Sequence, residues 1–225
     1  MSDPSLHRVI TDSERPAEPS GAARLSRRRI FRDAGALALV IGGTAVAVAA
    51  IENSAGAASA PSDQDTAKFL ESLELALVAI YGQALGSGKL TTPSNVALMT
   101  AYSGHHKAHA QALGPFAGDA ATAQPNPGVL TSVGDQMREA PDETHMLGVV
   151  FEVENAIAAT YLYAIGVVSG PQLLVQSAAI LPVEAEHGAA AGQILGKDPA
   201  NDPDMVPPFQ TTIDEIMPST YPPAS

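Results

Sequence analysis

The chain has 225 residues, room for one globular domain with a real core plus appendages. It contains no cysteine, which excludes disulfides and thiolate metal sites, so any metal must be held by oxygen and imidazole nitrogen. Residues 61–225 carry five Lys or Arg against eighteen acids, a net of −13 with no basic, aromatic-rich patch, which argues against nucleic acid and for cations as partners.

A polar region through Glu18 leads to Ser26, Arg27, Arg28, Arg29, Ile30 and Phe31, followed by eighteen apolar residues from Ala34 to Ile51, mostly alanine, glycine and valine. This pattern resembles a twin-arginine export signal, which implies the twin-arginine export machinery as a partner and delivery to the periplasm, the cell envelope or the exterior. The competing reading is a membrane anchor, because eighteen apolar residues reach the threshold for a span; either way residues 34–51 contact the membrane at least transiently. Small residues at Ala55, Gly56 and Ala57, or at Ala58, Ser59 and Ala60, offer processing sites, the second handicapped by Pro61. Residues 1–60 are therefore set aside as a signal segment and linker.

Beyond residue 61, Gly and Pro divide the chain into four apolar-periodic segments. The first opens at Asp63, Gln64 and Asp65 and runs to about Leu85, before Gly86, Ser87 and Gly88. The second begins at Pro93 after a Thr92 cap and is expected to end at Leu113, before Gly114 and Pro115. The third starts with Pro141, Asp142 and Glu143, acids suited to a helix N-terminus, and continues to about Val168. The fourth runs from Pro171 to Leu195 and stops at Gly196; Pro182 should bend or restart it just before Glu184, because the ring clashes with the carbonyl of Ala178. Four long helices, abundant alanine and few aromatics predict an all-α four-helix bundle over residues 61–196.

Spacings of three and four define an inward seam on each helix. The seams pass through Leu70, Glu74, Leu77, Tyr81 and Ala84; through Met99, Tyr102, His106, His109 and Leu113; through Leu147, Val150, Glu154, Ile157, Tyr161, Ala164 and Val168; and through Leu173, Ser177, Ile180, Glu184, His187, Ala191 and Ile194. Glu71, Glu152 and Glu186 fall off them and are expected to face water, as is His105, some 100° round the helix from His106. His145, in the opening turns of the third helix, is expected at the surface.

The polar seam residues repeat. Glu74 to Tyr81 and Glu154 to Tyr161 are both separations of seven, and His106 to His109 and Glu184 to His187 are both separations of three. The halves are offset by 80 and 78 residues, so the chain reads as two helix pairs with equivalent polar sites. Three buried carboxylates with no Lys or Arg on any seam would strain the fold or titrate to neutral. One or two divalent cations resolve this, with Glu74, Glu154 and Glu184 giving oxygen and His106, His109 and His187 closing the shell. Iron or manganese suits the mixed set, and zinc remains an alternative. The opposing reading is a metal-free hydrogen-bond network among the same residues, kept for fold specificity.

These residues carry a resemblance. The repeated halves resemble the ferritin-like superfamily, and "AAILPVEAEHGAAAGQILGKDP" with the downstream "PPFQTTIDEIM" is similar to its exported bacterial branch, related to desiccation-associated proteins. The likeness covers about residues 63–218. It implies a Glu with a Tyr seven later on helices one and three, and Glu-x-x-His on helices two and four, together holding a di-iron or di-manganese centre. Those positions are Glu74 with Tyr81, Glu154 with Tyr161, and Glu184 with His187; on the second helix His109 matches the ligand His, while His106 stands where Glu belongs. The family's Glu there bridges two metals, which a neutral imidazole with one lone pair does not do in the same way, so mononuclear and dinuclear states both stay open. Tyr81 and Tyr161 are expected beside the ligands, in supporting or redox roles.

Residues 114–140 are read as the long crossover between the halves, and residues 197–225 as a Pro-rich acidic tail with one short helix around Ile213 to Met217, packed along the bundle or hanging free. The functional expectation is an exported metal-binding protein, with oxidase or peroxidase chemistry on O2 or peroxide as its catalytic form. A non-catalytic envelope or stress protein and a zinc-binding bundle are the alternatives. The leader and tail are unlike a plain cage subunit; smaller oligomers stay open.

Overall fold

The computed structural model describes residues 61–118, 124–198 and 216–224. The signal segment, the middle of the crossover and most of the short helix expected in the tail lie outside the described residues. The described chain is helical, with α1 (Asp63–Gly86), α2 (Pro93–Ala117), α3 (Pro127–Glu139), α4 (Glu143–Val167) and α5 (Pro171–Ile194).

The ends of the helices are tied to one another. The Ser62 side chain accepts from the Asp65 N–H at 3.1 Å and starts α1. Thr92 and Gly170 make no side-chain cap at the starts of α2 and α5, and acids from other helices take over. Glu143 accepts from the backbone N–H groups of Thr91 and Thr92, both at 3.1 Å, and Asp63 accepts from those of Ser169 and Gly170 at 2.9 and 2.6 Å. The start of α1 therefore meets the end of α4, and these two helices run antiparallel.

α1 packs most extensively on α2, and α4 on α5. The short connection from α1 to α2 makes that pair antiparallel, so α2 and α4 run in the same direction and the chain must travel the length of the bundle between them. The crossover holds a helix of its own, α3, which the periodicity reading left out. It packs against α1 and touches α4. Asn126 anchors its start: fully buried, it accepts from the Val129 N–H at 3.1 Å and donates to the Tyr221 carbonyl at 2.9 Å, while its own N–H reaches the Ser72 carbonyl at 2.8 Å.

Three local expectations need correcting. α2 does not stop at Leu113 but continues through Gly114 and Pro115 to Ala117, where Gln64 donates to the Ala117 carbonyl and Gly118 turns out of the helix at φ 56°. Pro115 has no N–H to give to the Gln111 carbonyl, so the last turn runs on with one intrahelical bond fewer. Of the bend or restart expected at Pro182, the restart does not occur: one helix runs through it, with Ile180 and Leu181 before and Glu184 and His187 after on the buried side. Ile194, placed on the seam, is 45% exposed.

Glu71 and Glu152, expected in water, are each only 8% exposed, whereas Glu186 is outside as expected. α4 explains Glu152: every residue from Val149 to Tyr161 is buried, so this helix is enclosed all round and has no wet face there. Glu71 lies over the backbone of α2, close enough that a Cβ on Gly114 would sit 3.2 Å from its Oε1. The last described segment packs on the bundle, with Ile216 donating its N–H to Thr160 Oγ1 at 2.8 Å and Tyr221 3% exposed.

Candidate metal centre

All six predicted ligands converge between α1, α2, α4 and α5. Glu74, Glu154, Glu184 and His106 are fully buried, His187 is 3% exposed and His109 is 13% exposed. His106 lies between two carboxylates, with Nδ1 2.7 Å from Glu74 Oε2 and Nε2 3.1 Å from Glu154 Oε1. His187 Nδ1 is 3.3 Å from both Glu154 Oε2 and Glu184 Oε2. His109 Nδ1 is 2.7 Å from Glu184 Oε1, yet not at hydrogen-bond angles, and neither atom has a hydrogen-bond partner among the described residues.

The tyrosines cross the bundle. A separation of seven is about 10 Å along a helix, too far for a side chain to reach its own glutamate. Antiparallel packing exchanges the partners: Tyr81 donates to Glu154, and Tyr161 donates to Glu74. Glu74 is thus held by one phenol and one imidazole hydrogen bond, and Glu154 by one phenol and two imidazoles. Glu184 is not; both its oxygens are buried without a hydrogen bond.

Charge settles unevenly over this set. Burial pushes the Glu74 and Glu154 carboxyls up, but the imidazoles beside them outweigh it and hold both below the usual range, His106 being the main contributor. Glu184 goes the other way, raised by burial and by the neighbouring Glu74 charge. Burial lowers His109 and His187, but the carboxylates around them win and raise each to about 9; His106 is raised for the same reason. Tyr81 and Tyr161 are raised by burial and by the glutamates they bond.

Two overlapping sets of donors result, Glu74–His106–His109–Glu184 and His106–Glu154–Glu184–His187, in each of which the ligand atoms lie within 4.8 Å of one another. Their shared members are His106 and Glu184. A mixed oxygen and nitrogen set fits a divalent cation: His109 Nδ1 and Glu184 Oε1, an ion pair 2.7 Å apart without hydrogen-bond geometry, are placed to share a third body. A family model for the ferritin-like domain matches residues 62–197, more than half of the chain. The chain belongs to the ferritin-like domain family. No curated protein and no solved structure matches it.

This ferritin-like centre also involves residues outside the six predicted ligands. His105, placed at the periphery, is exposed, but its Nδ1 is 2.9 Å from His187 Nε2. Tyr102, a seam residue with no assigned role, stacks on His187 at 3.9 Å and donates its hydroxyl to the His187 carbonyl at 3.0 Å. His145 pairs with Asp142 at 2.7 Å at the start of α4, outside the centre. Glu71 and Glu152, although buried, belong to neither donor set.

Proposed function

We propose that the chain is an exported ferritin-like protein that binds divalent iron or manganese at this centre and uses the metal in oxidase or peroxidase chemistry. The observation that carries the metal is Glu184: a carboxylate in both donor sets, buried, next to two imidazoles, with neither oxygen hydrogen-bonded. Bound iron or manganese would supply a change of redox state toward O2 or peroxide. The chain's own part is to supply donors from four helices, to keep Glu74 and Glu154 oriented through Tyr161 and Tyr81, and to exclude water around fully buried carboxylates. Export rests on the twin-arginine-like leader, a route suited to proteins that fold around a metal before transport.

Elemental analysis of the protein recovered from its own cells after export, beside its Glu184→Ala variant, tests the reading. Metal in the first and its loss in the second are expected. Metal without turnover of ferrous ion or peroxide would keep the binding function and remove the catalytic one, and zinc as the bound metal would do the same. A second reading has its own support. Tyr81, Tyr161 and His106 satisfy much of Glu74 and Glu154 without a cation, as a metal-free envelope or stress protein would require. Equally low metal in both proteins would select it.

A further inference from the structure

His187 can serve the centre only through Nδ1, the atom that faces Glu154 and Glu184, since Nε2 points to α2. An imidazole that gives the Nδ1 lone pair to a cation carries its proton on Nε2, and that proton needs an acceptor. The atom in place is His105 Nδ1, at 2.9 Å, on a ring nearly parallel to that of His187 at 11° and 5.2 Å. Tyr102, one turn earlier on α2, fixes the same ring by stacking on it and bonding the His187 carbonyl. The reverse bond, with His105 donating, would leave the proton of a neutral His187 on Nδ1 and block the donor.

We propose that His105 is a positioning residue: it accepts the Nε2 proton of His187 and thereby holds that imidazole in the tautomer and orientation that present Nδ1 to the cation. This rests on the metal-binding reading above. His105 touches no carboxylate of the centre by hydrogen bond or ion pair among the described residues, and its exposure makes substitution tolerable for the fold.

The test uses Co2+ as the probe, because its visible absorption reports ligand number and geometry, with affinity read by competition against a chromophoric chelator. His105→Ala should bind Co2+ about 10- to 100-fold more weakly than the unsubstituted chain, the usual effect of losing a hydrogen bond to a metal-bound imidazole. His105→Asn places an oxygen acceptor where Nδ1 stands and should recover most of the affinity and the spectrum. A merely structural role would not distinguish Asn from Ala in this way. In the 15N-labelled unsubstituted protein, a nitrogen–nitrogen coupling through the His187–His105 bond should be detectable by NMR, independently of metal. Affinities of His105→Ala within about twofold of the unsubstituted chain would overturn the inference and leave the metal reading intact. Failure of the unsubstituted chain to take up Co2+ would overturn both.

Discussion

Glu184→Gln separates stability from metal binding in one substitution. The fold raises the Glu184 pKa, through burial and the Glu74 charge, so the neutral form suits the metal-free centre better than the carboxylate. The sign follows from linkage: stability associated with a raised carboxyl is present at low pH and is lost as pH rises through the raised value. Above that raised value the metal-free protein has lost it. Glutamine, with the same shape and no charge, recovers it. The difference between burying a charged and a neutral unsatisfied group sets the scale, on the order of 1–3 kcal/mol. For a domain of this size that is roughly 3–12 °C in melting temperature.

Circular dichroism melts with a chelator present should therefore show the variant melting higher than the unsubstituted chain. Mn2+ reverses the order. At about 100 times the dissociation constant, a ligand specific for the folded state adds about 2.7 kcal/mol to the unsubstituted protein, and the variant, lacking the shared carboxylate, gains little. A metal-free variant that melts lower would refute the reasoning, because it would show Glu184 to be a satisfied member of a network.

His109 and His187, raised to about 9, contribute stability that is complete below their unfolded pKa near 6.5 and is lost as pH rises through about 9. The metal-free protein should thus be less stable to urea at pH 9.5 than at pH 6, and Co2+ affinity should climb over the same interval as protons leave the ligands; flat profiles would count against these ion pairs. His106→Glu makes both helix pairs contribute Glu-x-x-His and adds a fourth carboxylate to the donor set, so metal bound per chain, by elemental analysis, should increase; an unchanged ratio would show that His106 does not limit capacity. Gly128→Ala brings a Cβ within 2.7 Å of the Tyr221 ring and should cost roughly 1–3 kcal/mol while speeding proteolysis of the C-terminal segment.

The four bundle helices were legible because their ends carry Gly and Pro and their seams keep a spacing of three and four over six turns or more. α3 was missed although its signals are local: Asn126 and Pro127 at its start, then Val129, Val133 and Met137 four apart. It was hidden by the expectation that residues 114–140 are a connection, and connections can hold helices. The six ligands were legible because charge on an apolar seam has few resolutions. Their contacts were not. Each tyrosine was read on one face with the glutamate seven residues away and beside the ligands, with no partner named; the exchange between halves depends on α1 and α4 running antiparallel, which no single helix records.

His105 shows where the angular argument fails. A residue 100° off the seam was assigned to solvent as if the helix had two faces, but His187 reaches outward from α5 far enough to meet a flank of α2. Glu71 and Glu152 fail for the same reason from the other side, since alanine and glycine let helices approach until flanks are covered too. In a bundle of small residues the inward arc is wider than a seam. The centre then has an inner ring of ligands read from periodicity and an outer pair, Tyr102 and His105, whose contacts with His187 appear only in the packing. Protons and metal compete for the inner ring: without a cation, imidazoles raised toward 9 balance the carboxylates, and with one, those protons must leave. His105 stands at the exposed end of that exchange.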